Sequence, residues 1–555
     1  MHKSITFMNK HKSFVIFIIF FVLSLLMIIP YWNFPYIVND LPYHLAPLNE
    51  ANYFIQKHQW FNIFSSISTK TMGEFGYPEN LFYPSFTYYP VLIFRIIHLS
   101  AFRTYLLSLI VINFLAFCSM YIVTKKLTNS KKAALFSSIV YGFSQYKLND
   151  MYVFQNVAES IAFILVPICF YGLYQIICFD YKKWWILSIG LSLLILTHVL
   201  SVVVLSVFML LSLGMLFIKK SSWQVKLKRI FWLIVAGIVS LLLSVIFLGP
   251  LIQNYLSING NLLMGKSILF TNAVNINNVI GASVGLIEVV IIIMALVYFK
   301  YLLTFYRYIL VEIFISILLI TNLFPWGLLQ SIMYPIQFPV RFLAITNFLV
   351  ALIGGKCLLI LFSRVSYNNK SKYSLFFGGL VILELCIFTA QAEMNRRNLP
   401  KISVDEFNLR SSQISYYDYL PKNAEPIINK LDKHSIPLMN KASNIKQSGY
   451  STSYNAIHYK INNGSRIIYI NLPNEYYPGF HAYVNNKEVP IKSNKNNAIN
   501  IPIQKGRNDI DIMYKSTITQ IISFWISIIS WIILISFISY KKFINFRIKH
   551  KKSNK

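Results

Sequence analysis

Acidic residues are what this chain has least of for its size. Of 555 residues, 20 are Asp or Glu against 51 Lys or Arg. Charged residues make up 13% of the chain and hydrophobic ones 56%, a balance that excludes an ordinary soluble domain. Cysteine is scarce too. The five (Cys118, Cys169, Cys178, Cys357 and Cys386) all fall inside apolar runs and form no CxxC pair, so a disulfide framework and a cysteine metal site are excluded. They read as small buried hydrophobes. No glycine-rich phosphate loop follows a strand pattern, which removes that kind of nucleotide-binding fold.

What is present is a series of uncharged runs of about 20 residues, the length that crosses a bilayer as a helix. The fold class expected is therefore a polytopic α-helical membrane protein. The net charge of +31 does not point to nucleic acid. Its lysines and arginines cluster in short loops between apolar runs and at the end of the chain, as in Lys541-Lys542 and Lys551-Lys552. That is the positive-inside pattern, which orients helices and meets anionic lipid head groups.

The first run, 14–31, follows Lys3, Lys10 and Lys12. It is too long for a signal-peptide core and reads as an uncleaved first helix. With that end cytoplasmic, residues 32 to about 100 lie outside. The later part of this loop, from Tyr83 to His98, is apolar but broken and carries Arg95, which suits an interfacial helix. Further spans are expected at 103–124, 133–149, 159–179, 184–198, 199–218, 230–253, 279–299, 304–321, 341–363, 374–392 and 518–540. The run 184–218 reads as two short or re-entrant helices meeting at Thr197-His198. The total is about twelve spans, with both termini and the basic loops 219–229 and 364–372 cytoplasmic.

Three regions follow: a transmembrane core over 1–392, with 32–102 as its first outer loop; a polar extracytoplasmic domain over 393–516; and a last helix with a basic tail over 517–555. The second half of the polar domain alternates in short runs at 466–471, 481–484, 489–491, 498–501 and 509–512. Turns at Pro478-Gly479, Asn485-Asn486 and Lys505-Gly506 separate them, which predicts a small antiparallel β domain.

Among so few acids, Asn39-Asp40-Leu41-Pro42-Tyr43-His44 stands out. A helix starting at Asp40 puts Asp40 and His44 one turn apart on one face. Asp40 could serve as a general base or as a ligand for a divalent cation, with His44 assisting. The competing reading is a plain helix N-cap, since Asp with Pro two residues on is a good one. Glu50 and Glu74 share the loop and read as solvated acids, although Gly73-Glu74-Phe75-Gly76-Tyr77-Pro78 builds a tight turn able to approach a ligand. Glu159 and His198 sit at span ends and are candidates for a cavity, or else are simply exposed. Glu288, Glu312 and Glu384 lie in spans and would pair with nearby cations, as Glu312 with Arg307. Arg341, in Gln337-Phe338-Pro339-Val340-Arg341-Phe342, falls near a helix N-terminus, where a guanidinium suits a phosphate. The alternative is an arginine snorkelling to the membrane interface.

An acid in the first outer loop and a late arginine-bearing outer loop resemble GT-C glycosyltransferases. The chain is more closely similar to the bacterial YfhO-type proteins and the related "6-pyruvoyl-tetrahydropterin synthase-related" membrane family. The residues that carry this are Asp40-Leu41-Pro42-Tyr43-His44, Gly76-Tyr77-Pro78, Phe82-Tyr83-Pro84, Asn156-Val157-Ala158-Glu159, Thr197-His198, Gly249-Pro250-Leu251 and Gln337 to Leu343. Tyr476-Tyr477-Pro478-Gly479-Phe480 and the turn at Asn485-Asn486-Lys487 resemble that group's C-terminal β domain. Val340 stands where an aromatic is usual, and Asn486 where glycine is commoner. The synthase name implies no activity here, because no three-histidine zinc cluster is visible.

The resemblance implies a GT-C-like core in a bacterial cell membrane. Its expected partners are a polyprenyl-phosphate-linked sugar, an envelope glycan or glycolipid acceptor and the membrane lipids. In that frame Asp40 and His44 are the catalytic candidates. Arg341, Glu159, His198, Glu74 and Tyr77 are the binding candidates, and a divalent cation on Asp40 is an option. A lipid-linked saccharide transporter and a non-catalytic envelope assembly protein are the competing classes.

Overall fold

A computed structural model describes residues 12–32, 35–59, 65–84, 89–264, 268–279, 283–364, 378–379, 382–383, 385–390, 398–399, 402–414, 416–440, 444–465 and 468–553. The expected span 374–392 with Glu384, the basic loop 364–372 and the stretch Ser85-Phe86-Thr87-Tyr88 lie wholly or partly outside the described residues.

The helices of ten residues or more are α1 (Lys12–Leu26), α2 (Leu41–Gln56), α3 (Ala101–Thr128), α4 (Lys131–Gly142), α5 (Val157–Cys178), α6 (Trp185–Ile195), α7 (Val199–Ser212), α8 (Trp223–Ser257), α9 (Leu286–Val297), α10 (Thr304–Ile320), α11 (Leu343–Arg364) and α12 (Ile518–Ser553). Among the described residues six helical stretches are long and apolar enough to cross a membrane: Ala101–Thr128, Val157–Cys178, Val199–Ile218, Trp223–Ser257, Pro339–Arg364 and Ile518–Ile544. Ser13–Leu26 and Leu286–Val297 are apolar but shorter. The protein is a membrane-embedded helical bundle.

Local chemistry sets the breaks. Helix α3 stops where Asn129 turns left-handed (φ 54°), and Ser130 caps α4 by accepting from the Ala133 amide at 3.3 Å. The run 184–218 divides at 196–198 between α6 and α7. The expected span 133–149 is cut at Phe143-Ser144. Beyond the cut, a short helix (Gln145–Asn149) and a π-turn (Asp150–Phe154) lead into α5.

Helices α5 and α11 run through the centre of the bundle and are buried along most of their length. Helices α8 and α12 pair at the periphery and leave Leu241, Ile252, Ile522, Trp525, Ile529 and Ile533 exposed, a lipid-facing surface. Gly249 lets them close: a Cβ there would stand 2.0 Å from Ser523 Oγ. Packing thus accounts for the Gly249-Pro250 motif.

The β domain has two antiparallel sheets. One has five strands, in the order β1 (Ile445–Ser453), β2 (Ala456–Asn463), β8 (Gly506–Tyr514), β4 (Phe480–Val484) and β5 (Lys487–Val489). The other has three, β3 (Ile468–Glu475), β7 (Ala498–Ile503) and β6 (Lys492–Ser493). Alternate residues face inward. Ile457, Tyr459, Ile510 and Ile512 of the first sheet meet Ile470, Leu472, Ile499 and Ile501 of the second. The hairpin β1–β2 extends the domain ahead of its expected strands. Gly479 (φ 108°) is required, because a Cβ would lie 2.7 Å from the Lys515 carbonyl. Asn485 and Asn486 both take positive φ (52° and 65°) in the two-residue β4–β5 turn, so asparagine fills the place where glycine is commoner.

Segment 65–82 lies between α2 and this domain. Asn455 Oδ1 accepts from the Ser66 amide (3.1 Å), Asn474 Nδ2 donates to Phe75 O (2.9 Å) and Tyr450 Oη donates to Glu74 O (2.6 Å). On the other side Glu50 of α2 accepts from the Thr69 amide at 2.9 Å. The β domain is therefore fastened to the stretch that carries Asp40.

Candidate functional site

Two corners of the chain meet at the site. At the first, 38–40, the Val38 amide donates to Gln155 Oε1 (2.8 Å), Asn39 Nδ2 to Val153 O (2.7 Å) and the Asp40 amide to Phe154 O (3.3 Å). The second is the 150–156 turn that opens α5. One backbone bond and the Asn39 and Gln155 side chains hold the two together before any candidate catalytic side chain is considered.

Asp40 stands at the N-cap position of α2, but its side chain accepts no capping bond. The cap reading fails. The carboxylate instead turns across to Asn156, whose Nδ2 donates to Asp40 Oδ2 at 3.2 Å. Asn156 is itself the cap of α5, its Oδ1 accepting from the Glu159 amide at 2.9 Å. One asparagine thus starts the central helix and holds Asp40. Burial pushes the Asp40 carboxyl above the ordinary aspartate value; Arg341 pulls it down, Asp418 pushes it up and the Asn156 bond pulls it down.

Glu159 is buried, as is His198, so simple exposure does not describe either. Glu159 Oε1 accepts from Tyr146 Oη at 2.7 Å, and its Oε2 lies 3.9 Å from Arg341 Nε. Arg341 is not a snorkelling arginine. Its side chain is 11% exposed and its Nη1 donates to Ile336 O and Gln337 Oε1, both at 2.8 Å. These recorded bonds use one nitrogen of a group with five N–H donors. Arg341 and Glu159 also border a void of about 10 Å³, room for roughly one water, otherwise lined by Val166, Ser201, Val204, Ala344 and Ile345.

His198 leads into α7, with Nδ1 2.7 Å from Ser201 Oγ. His44 is buried one turn into α2, its ring packed against Tyr43 and Tyr83. Burial drives its imidazole down to about 3, so it is neutral at physiological pH and acts only through hydrogen bonding; a bond with Asn156 pulls the other way.

Two predicted residues sit elsewhere. Glu74 is exposed at the edge of the β domain and offers its backbone carbonyl to Tyr450. Tyr77 is buried in the seam to that domain, its Oη accepting from the Tyr419 amide at 3.2 Å. Glu50 is not solvated. It is buried and accepts from the Thr69 amide (2.9 Å), the Lys70 amide (2.9 Å) and Thr71 Oγ1 (3.0 Å), a clamp on the loop. Glu312 does not pair with Arg307: it accepts from Ser212 Oγ (2.6 Å) and Tyr174 Oη (3.4 Å), while Arg307 donates to the Phe299 and Lys300 carbonyls. Glu288 accepts from the Gln145 amide at 3.1 Å.

Sequence reasoning missed Tyr146, Lys147 and Asp150. Lys147 and Asp150 are both buried; Lys147 Nζ donates to Asn113 Oδ1, and Asp150 Oδ2 accepts from Ser160 Oγ at 2.7 Å. The signal was an acid and a base three residues apart at the end of an apolar run, which a span assignment swept past. Asp418, brought beside Asp40 from the β-domain side of the chain, had no sequence signal. Among the described residues no group of three or more His, Cys, Asp or Glu converges as a metal-ligand set. A cation on Asp40 would complete its shell with water or substrate oxygens.

Residues 428–527 match the model of a family described as bacterial membrane protein YfhO. Over that stretch the chain is similar to YfhO-type proteins. The matched segment runs from ahead of β1 into α12. It contains the Tyr476-Tyr477-Pro478-Gly479-Phe480 motif and the Asn485-Asn486 turn, and it stops short of Asp40, Glu159 and Arg341 in the chain. The chain is 24% identical over 252 residues to an uncharacterized protein of Lactococcus lactis subsp. cremoris. That alignment covers 44% of this chain and 40% of the relative, so the chain spans about two-fifths of that protein's length. Among solved structures, the mycobacterial arabinofuranosyltransferase AftD aligns over 76% of this chain and 29% of its own, with 11% identity and a TM-score of 0.44.

Proposed function

We propose that this protein is a GT-C-type glycosyltransferase of a bacterial cell membrane. It moves a sugar from a polyprenyl-phosphate donor to a cell-envelope glycan or glycolipid, with the Asp40 corner and the β domain on the outer face and both termini in the cytoplasm. The observation that carries this is the meeting of an uncapped, half-buried carboxylate, Asp40, with the buried Glu159–Arg341 pair. A lipid phosphate needs a cation to meet it, and a glycosyl acceptor needs a base beside it.

In the reaction, Asp40 takes the proton of an acceptor hydroxyl as its oxygen attacks the anomeric carbon. The bond from that carbon to the phosphate oxygen breaks, and the charge left on the phosphate meets the Arg341 guanidinium. Asn156 aims Asp40, while Glu159 and Tyr146 hold Arg341. A neutral His44 lines the acceptor side.

A second reading is a lipid-linked saccharide transporter, favoured by the buried Lys147 and Asp150 beside a broken helix. Proteoliposomes loaded with a polyprenyl-phosphate sugar and an acceptor separate the two. The enzyme releases polyprenyl phosphate in step with a new glycosidic bond. Movement of the intact donor without that bond refutes transfer and supports transport.

A further inference from the structure

The β domain holds a second constellation, remote in sequence from Asp40 and Arg341. Ser453 ends β1, His458 lies in β2 and Asp511 in β8, three adjacent strands. Ser451 and Asp511 are the cross-strand partners of His458 on either side, and Ser453 is two residues along from Ser451, so all three side chains leave one face of the sheet. Ser453 Oγ lies 2.8 Å from His458 Nε2, and His458 Nδ1 lies 2.6 Å from Asp511 Oδ1. The order is hydroxyl, Nε2, Nδ1, carboxylate. A nucleophilic serine, its general base and the carboxylate that fixes the base's tautomer are arranged in that order whatever the fold.

We propose that Ser453, His458 and Asp511 form a hydrolytic triad that cleaves a small O-acyl ester. Chain geometry favours this over a chance polar cluster in two respects. The triad stands on a sheet whose register sets His458 directly beside Asp511 and diagonal to Ser453, and Ser453 abuts the tight Tyr454-Asn455 turn, where it is exposed.

The substrate class follows from the shape. The His458 and Asp511 side chains are 34% and 32% exposed on an open sheet face. Such a face admits an acyl group carried on a large polar molecule, such as an O-acetylated glycan, better than a ligand that must be engulfed. Ser453 Oγ attacks the acyl carbon and its proton passes to His458 Nε2. The ester C–O bond breaks, and the leaving alkoxide takes that proton. Water then attacks the acyl-serine, gives a proton to His458, and Ser453 Oγ leaves and regains it. Ester and water become alcohol and carboxylic acid.

The test uses the full chain in nanodiscs with a fluorophosphonate probe and p-nitrophenyl acetate. Peptide mass analysis of the wild type should place the adduct on Ser453, which needs no variant to fold. Ser453→Ala should abolish labelling and ester hydrolysis, Asp511→Asn should lower both by roughly 10²-fold, and Ser451→Ala, on the same strand face, should leave both unchanged. Absence of an adduct from the wild type, or an adduct elsewhere than Ser453, overturns the proposal. Labelling that falls equally in Ser451→Ala overturns it too.

Discussion

Replacing Asp40 by asparagine separates catalysis from stability. The side chain makes no helix-capping bond, so the usual cost of losing an N-cap, about 1 kcal/mol, does not arise. Asparagine keeps an oxygen for Asn156 Nδ2 at the same 3.2 Å position. What changes is the charge on the acceptor, worth about 1 kcal/mol between a charged and a neutral hydrogen bond. Against that loss, the neutral side chain is easier to bury and escapes repulsion from Asp418. The net effect on stability is therefore within about 1 kcal/mol. Removing a general base costs roughly 10²- to 10⁴-fold in rate, or about 3–5 kcal/mol of barrier. The assay is transfer of a labelled sugar from a polyprenyl-phosphate donor by protein in nanodiscs, with thermal unfolding run on the same samples. Asp40→Asn that transfers within threefold of wild type refutes the base assignment. Loss of transfer together with a large loss of stability refutes the claim that the cap position is empty.

Three further outcomes are expected. Asn156→Ala removes the bond that lowers the Asp40 carboxyl, so the acid limb of the pH–rate profile moves to higher pH. It also uncaps α5 at a cost of about 1 kcal/mol; an unmoved limb would disconnect Asn156 from Asp40. Glu79 is buried with an unpartnered Oε2, and burial pushes its carboxyl well above the ordinary 4.5, so it stays protonated in the fold while the unfolded chain ionises. The wild type then loses stability as pH rises above about 4.5, and Glu79→Gln should flatten that slope in thermal melts from pH 4 to 8. Gly172 of α5 lies against α6, where a Cβ would stand 2.4 Å from the Leu187 nitrogen; Gly172→Ala should cost roughly 1–3 kcal/mol, read as a lower midpoint in detergent melts.

The membrane class follows from the scarcity of charge and the length of the apolar runs, because lipid leaves a chain no other way to satisfy its backbone than helix or barrel. The β domain was legible from alternation at period two and from its turn residues. The chemistry of Asp40 was only half legible. Asp40-Leu41-Pro42 is a sound cap signal, and nothing local tells whether the carboxylate bonds to its own helix or to another. That choice was made by Asn156, 116 residues away, and by the hydrogen bonds that pin 38–40 against 153–155.

Burial was likewise invisible locally. Glu50 reads as a loop acid, yet the 69–71 loop folds over it and its lone pairs hold that loop's amides. Lys147 and Asp150 vanish into an apolar run until α4 breaks and turns them inward. The sequence by itself determined that apolar runs recur at membrane-spanning length, six of them forming long enough helices among the described residues, that a β domain lies ahead of the last helix and which few residues carry charge. Only the tertiary structure decided which of those charges meet. Hydropathy is a property of neighbours along the chain, whereas the pairing of Glu159 with Arg341, and of Ser453 with His458 and Asp511, depends on contacts that close across helices and strands.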